Sequence, residues 1–136
     1  MLRTIFKSKI HRARVTQLDL KYHGSITVDQ DLLDLTGIWH NERVQIVNAN
    51  NGSRLETYVI AGKRGSRIVG LNGPAARLAM PGDTISIISY GIADESEART
   101  IKPRVILLNA ANEVIETHDI QSQDEVQKDP QVAILN

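Results

Sequence analysis

The strongest constraint on this chain is a rhythm of short β-type runs broken by turn residues. In "RVQIVNANNGSRLETYVI", alternating runs at 43–47 and 54–60 flank an Asn51-Gly52 pair. Such a pair supplies the positive-φ residues of a tight hairpin, so these two runs are expected to pair as neighbouring strands. The same pattern marks residues 5–16 as one long strand or two short ones, and residues 25–28, 67–71, 84–90, 104–108 and 113–117 as further strands. Helix signals are few. Asp29 can cap a helix, Asp31 suits its positive end, Leu32, Leu33 and Leu35 give it an apolar face, and Gly37 stops it. Pro74 opens a short helix through Leu78, and residues 94–99 make a helical turn. Many short strands with small helices predict a mainly β fold closed into a barrel.

Composition narrows the functional classes. The chain has 136 residues, enough for one domain with a real core, and only one Trp and one Phe, so Ile, Leu and Val must build that core. Sixteen basic residues balance sixteen acidic ones, which argues against a general nucleic-acid binder. Without cysteine, neither disulfides nor thiolate chemistry are available. The start, "MLRTIFK", is too polar for a signal peptide, and no apolar run reaches the ~20 residues that span a bilayer. A cytoplasmic chain with no membrane partner is expected. Residues 1–120 read as one domain, and the polar stretch from Gln121 as a mobile tail in which "VAIL" at 132–135 has no assigned role.

Few residues are arranged for chemistry. His11, His23, His40 and His118 are scattered without ligand spacing, so no metal site is expected. "AGKRGSR" lacks the Ser or Thr after lysine that a phosphate loop needs. Alternation puts Arg54, Glu56 and Tyr58 on one strand face with Thr57 opposite, and Lys9 and His11 share another. Together these could bind and protonate an anionic substrate. Gly24-Ser25 offers a different chemistry. A serine hydroxyl can attack the preceding carbonyl and turn the amide into an ester. Elimination then cuts the chain, and hydrolysis leaves a pyruvoyl ketone on the new N-terminus. The glycine tolerates strained angles and leaves its carbonyl open. On the dipeptide alone, a turn glycine before a strand serine is by far the better account, as in a non-enzymatic β-barrel binding module.

The surroundings carry more. "K-x-H-R" from Lys9, "Y-x-G-S" from Tyr22, "DQDLLDLTGI" from Asp29, "NNGSRLETYVI" from Asn50, "RGSR" from Arg64, the Asn72-Gly73 segment, Gly82-Asp83 and "EART" from Glu97 follow one another in order. In these motifs the chain resembles the pyruvoyl-dependent aspartate decarboxylase family from Met1 to about Thr117. The resemblance implies a double-psi β-barrel with small helices. It implies self-cleavage into 1–24 and 25–136, with Ser25 becoming the pyruvoyl group that forms a Schiff base with substrate. No PLP or metal is implied. Tyr58 matches the proton donor. Thr57 matches the residue that supports processing and touches substrate, and Lys9 and Arg54 match the carboxylate contacts. Asn72 with Gly73, Pro74 and Ala75 matches the loop lining the pocket, and Tyr22 and His11 match neighbours of the cut. His23, Ile26 and Pro74 depart from some relatives, which carry an acid, a cysteine and an alanine there.

The implied reaction is that of a carboxy-lyase, L-aspartate to β-alanine and carbon dioxide, feeding pantothenate biosynthesis. The resemblance further implies a homotetramer with active sites between subunits, and leaves room for an accessory maturation factor as partner.

Overall fold

Burial alternates along several of the strands as a half-buried sheet requires. In the computed structural model, which describes residues 1–128, this alternation is clearest in β4 (Arg43–Asn48), where Val44, Ile46 and Asn48 point inward. With β1 (Arg3–Arg14), β2 (Gln17–Asp19), β3 (Ser25–Asp29), β5 (Arg54–Gly62), β6 (Val69–Asn72), β7 (Thr84–Ala93), β8 (Arg104–Leu108) and β9 (Val114–Asp119), it forms one sheet in the order β2-β6-β3-β5-β4-β7-β1-β8-β9. Twice, a strand lies between two strands that are consecutive in the chain. β3 sits between β5 and β6, parallel to the first and antiparallel to the second. β1 sits between β7 and β8, antiparallel to the first and parallel to the second. Each connection crosses the strand it brackets, which is a ψ motif, and two of them make the expected double-psi barrel. Closure comes from the end of β1, where the Thr16 N–H donates to the Val69 carbonyl at 2.8 Å.

The core is aliphatic, as the composition demands: Ile10, Ile26, Val28, Leu33, Val44, Ile46, Val59, Leu71, Ile85, Ile87, Ile106 and Leu108 are buried together. The tyrosines and Trp39 stay at the surface.

Several local expectations change. The run expected at 5–16 is one strand that begins at Arg3, ends at Arg14 and breaks register at Phe6/Ser8 and Ile10/Ala13, with Arg12 at a φ of 62°. The hairpin after β4 forms, but only Gly52 takes positive φ, because the Asn48 side chain accepts from the Asn50 and Asn51 N–H groups and shapes the rest of the turn. β6 begins at Val69 and not at 67, since Arg67 is left-handed at φ 57°. α1 (Gln30–Thr36) has its Asp29 cap and its left-handed Gly37, yet Leu35 is exposed. Thr36 takes the inner position and returns its hydroxyl to the Leu32 carbonyl at 3.0 Å. The 3₁₀ turn Gly73–Leu78 and α2 (Glu95–Thr100) fall where expected.

The polar stretch after Gln121 departs from the expected mobile tail. Ser122 is buried and caps α3 (Gln123–Lys128), which packs on α2 with Lys102 and Glu125 3.2 Å apart. "VAIL" lies outside the described residues. No helix among the described residues is long and apolar enough to cross a membrane.

Candidate active site

β3 starts at Ser25, and its pairing decides what surrounds that residue. Ser25 lies opposite Asn72 across the antiparallel β3–β6 ladder. Its side chain is fully buried, and Asn72 is 5% exposed. The Asn72 Nδ2 donates to Ser25 Oγ at 2.8 Å and to Thr27 Oγ1 at 3.0 Å. Ser25 Oγ donates in turn to the His23 carbonyl at 3.3 Å. The nucleophile candidate is therefore dry, oriented, and in contact with the peptide segment immediately before it.

The glycine under constraint is not the one the sequence singled out. Gly24 lies outside the left-handed region, and a Cβ there would meet only Pro74 Cδ at 3.7 Å. Gly73, at φ 64°, is the tight position. A Cβ on it would come within 2.8 Å of the Gly24 nitrogen and the Tyr22 oxygen. The turn that begins at Gly73 thus lies close against the Tyr22–Gly24 segment that leads into Ser25. Pro74 is exposed at its start, and Ala75 packs against the core.

Tyr58 reaches the same place by a different route. Ile26 and Val59 are register partners in parallel β3 and β5. One step back along both strands sets Ser25 alongside Tyr58, on a shared face and about 4.8 Å apart at the backbone. Tyr58 is 38% exposed, so its phenol is open to a ligand. With Thr57, Arg43 and Glu56 it lines a shallow depression. Thr57 faces the opposite way, half-buried, against Val44 of β4.

The expected cations are elsewhere. Arg54 opens β5, four residues before Tyr58 and so roughly 13 Å along the strand. Lys9 and His11 are on β1, separated from β3 in the sheet by β5, β4 and β7. Among the described residues, neither Lys9 nor Arg54 has a side-chain hydrogen bond or an ion pair. His11 Nδ1 lies 3.3 Å from Ser86 Oγ. Its pKa is held below the ordinary imidazole value, first by burial and then by the charges of Lys9 and Arg12. Tyr22 is half exposed, its ring edge-on to His23 with centroids 5.9 Å apart. One chain therefore brings Gly24, Ser25, Asn72 and Gly73 together, with Tyr58 on the strand beside them, whereas Lys9 and His11 stand on a strand not adjacent to β3 and Arg54 lies farther along β5.

Two residues near Ser25 escaped the sequence reading. Thr27 shares the Ser25 face and the Asn72 amide; alternation alone put it on that face, but nothing local named its partner. Asp29 was read only as a helix cap. Its buried carboxylate accepts from Asp31 N at 2.9 Å, and also from Gly65 N at 3.0 Å and Arg67 N at 2.8 Å. It thereby fastens the loop that crosses over β3 and delivers Asn72.

The profile of the family described as "Aspartate decarboxylase" matches residues 1–115. The chain is 57% identical over 116 residues to the aspartate 1-decarboxylase of Bacillus licheniformis, covering 85% of this chain and 91% of that one. It is 52% identical over 126 residues to the enzyme of that name from Acetivibrio thermocellus, covering 93% of this chain and 100% of that one. With the one from Desulfitobacterium hafniense it shares 59% over 112 residues, covering 82% and 88%. Among solved structures, the computationally designed protein msDPBB_sym2 aligns at a TM-score of 0.39 and 20% identity, covering 62% of this chain and 96% of that one. On the profile match and the extent of these identities, the chain belongs to the aspartate decarboxylase family.

Proposed function

We propose that this chain cuts itself between Gly24 and Ser25 and then decarboxylates L-aspartate to β-alanine and carbon dioxide, a step that supplies pantothenate biosynthesis in the cytoplasm. The observation that carries the reading is the buried Ser25 hydroxyl, held by Asn72 beside a peptide segment on which Gly73 lies in contact.

In the maturation step, Ser25 Oγ bonds to the Gly24 carbonyl carbon and the peptide C–N bond breaks, giving an ester. Loss of the Ser25 α-proton expels the Gly24 carboxylate together with Oγ. The resulting dehydroalanine takes up water and releases ammonia, leaving a pyruvoyl group at residue 25. The surroundings of Ser25 fit such a group: they are closed to solvent, and one amide donor aims at the residue. Tyr22 neighbours the cut within the same chain, whereas Thr57 and His11, which do not face Ser25 within one chain, would support this step across the subunit boundary.

Once formed, the ketone supplies an electrophile for the substrate amine and, with the adjoining amide carbonyl, a sink for the electrons left by carbon dioxide. The chain's own side chains do the rest. Arg54 pairs with the retained side-chain carboxylate, for which its planar fork suits two parallel hydrogen bonds. A tight grip on the departing carboxylate would stabilise the ground state instead. Lys9 adds positive charge, and Thr57, Gly73, Pro74 and Ala75 border the substrate. Tyr58 holds a proton and returns it to the α-carbon. Since one chain leaves Lys9 and Arg54 without partners, we place complete sites between subunits of a homotetramer. A maturation factor would act on the exposed segment around Leu20 and Tyr22.

Intact mass before and after borohydride reduction with aspartate present tests the reading. Expected are fragments 1–24 and 25–136, the second gaining a trapped adduct. Ser25→Ala should fold, stay whole and be inactive. One uncut, unreactive species from the wild-type chain would match a binding module and refute the proposal.

A further inference from the structure

We infer that Thr27 is a positioning residue, whose hydroxyl keeps the Asn72 amide aimed at residue 25 after the Ser25 hydroxyl has been consumed. This rests on the reading of Ser25 as the source of the ketone. In the uncut chain the Asn72 Nδ2 has two acceptors, Ser25 Oγ at 2.8 Å and Thr27 Oγ1 at 3.0 Å. Maturation removes one of them, because Oγ departs with the Gly24 carboxylate. A buried amide that loses an acceptor must find another or turn away. Thr27 Oγ1 is the acceptor that maturation does not touch.

A second observation shows why that hydroxyl stays in place. Threonine is stiff about χ1, and here its methyl is turned toward Gly62 of β5. A Cβ built on Gly62 of β5 would lie 3.0 Å from Thr27 Cγ2. With Cγ2 packed toward β5 on one side, Oγ1 is turned toward β6 and Asn72 on the other. Residue 27 also pairs with Gly70 and Ile60 in the two ladders flanking β3, so its backbone is fixed from both sides. The precursor thus holds Asn72 twice and the matured chain holds it once.

This redundancy makes the test sharp. Thr27→Val keeps the shape and the branch facing β5 but removes the acceptor; Thr27→Ser keeps the acceptor. The full-length wild-type chain and both variants are followed by intact mass during maturation. The matured forms are then assayed for kcat and KM with aspartate and, without substrate, for the rate of borohydride reduction of the keto terminus. Loss of one hydrogen bond of ordinary strength corresponds to about a 2- to 10-fold change. We expect Thr27→Val to mature within about twofold of wild type, since Ser25 still holds Asn72 at that stage. After maturation its kcat and its ketone reduction rate should both fall by that 2- to 10-fold factor, with KM little changed and Thr27→Ser close to wild type. Wild-type turnover and ketone reactivity in matured Thr27→Val would overturn the inference. So would a maturation defect as large as the turnover defect, or failure of Thr27→Ser to rescue. Failure of the underlying reading looks different: the wild-type chain itself would be uncut and inert to borohydride.

Discussion

Replacing Gly73 by alanine tests whether the cleavage segment is held by backbone contact. The new Cβ would sit 2.8 Å from both the Gly24 nitrogen and the Tyr22 oxygen and 2.9 Å from the Gly24 Cα. The shortfall from ordinary contact, which starts at 3.4 Å, is about 0.6 Å. All three obstructing atoms are main chain, so no side chain can swing aside, and the displaced atoms belong to the segment being cut. Two costs add. The left-handed conformation costs a non-glycine residue about 1–2 kcal/mol, and overpacking adds about 1–3 kcal/mol. In the uncut Ser25→Ala background the sum of roughly 2–5 kcal/mol should lower Tm by roughly 7–17 °C for a chain of this length. With Ser25 restored, the attack geometry shifts by a good part of an ångström, and maturation should slow by about 10- to 100-fold. Gly52→Ala is the control. Gly52 has a similar φ of 75° but nothing within 4 Å of its added Cβ. It should lose only the conformational part, roughly 3–7 °C, and mature normally. Thermal melts and a mass-resolved maturation time course measure both effects. Maturation of Gly73→Ala within twofold of wild type would refute the argument that this contact positions the segment.

Other outcomes follow from the same geometry. Asp29→Ala strips the acceptor from three backbone N–H groups and should cost about 3 kcal/mol in urea unfolding; a loss below about 1 kcal/mol would contradict its role as a loop clamp. Arg54→Lys should raise KM for aspartate by about 10-fold, as one cation cannot copy the two-pronged contact, and unchanged steady-state kinetics would remove Arg54 from the substrate site. His11 binds its proton less readily folded than unfolded, so its contribution is fully present above the ordinary imidazole value and is lost as pH falls below it toward the depressed folded value. His11→Gln should accordingly flatten the fall of Tm on acidification from neutral pH, and a steeper fall would reverse the assigned sign.

Much of the architecture was legible because its causes are local. Alternation announced most of the strands, Asp29 and Gly37 bracketed α1, and the scarcity of aromatic residues left Ile, Leu and Val for the core. The ordered motifs around Gly24-Ser25 pointed to the family on sequence alone. Local signals also misled where a contact distant in sequence won. Leu35 gave way to Thr36 on the inner side of α1, and the polar residues after Gln121 formed a helix that packs on α2, with Lys102, just past the end of α2, paired to Glu125.

By itself, the sequence determined which segments become strands, which residues share a face, and that a serine following a glycine stands where a self-made electrophile could arise. Only the tertiary structure decided that Asn72 bridges Ser25 and Thr27, that Gly73 rather than Gly24 is the constrained glycine, and that Lys9 and Arg54 lie away from Ser25 within one chain. The physical reason is that side-chain alternation is a property of neighbours along the chain. In a double-psi barrel the partners of β3 arrive by connections that cross over it, and nothing in the residues of one strand encodes which distant strand will lie beside it.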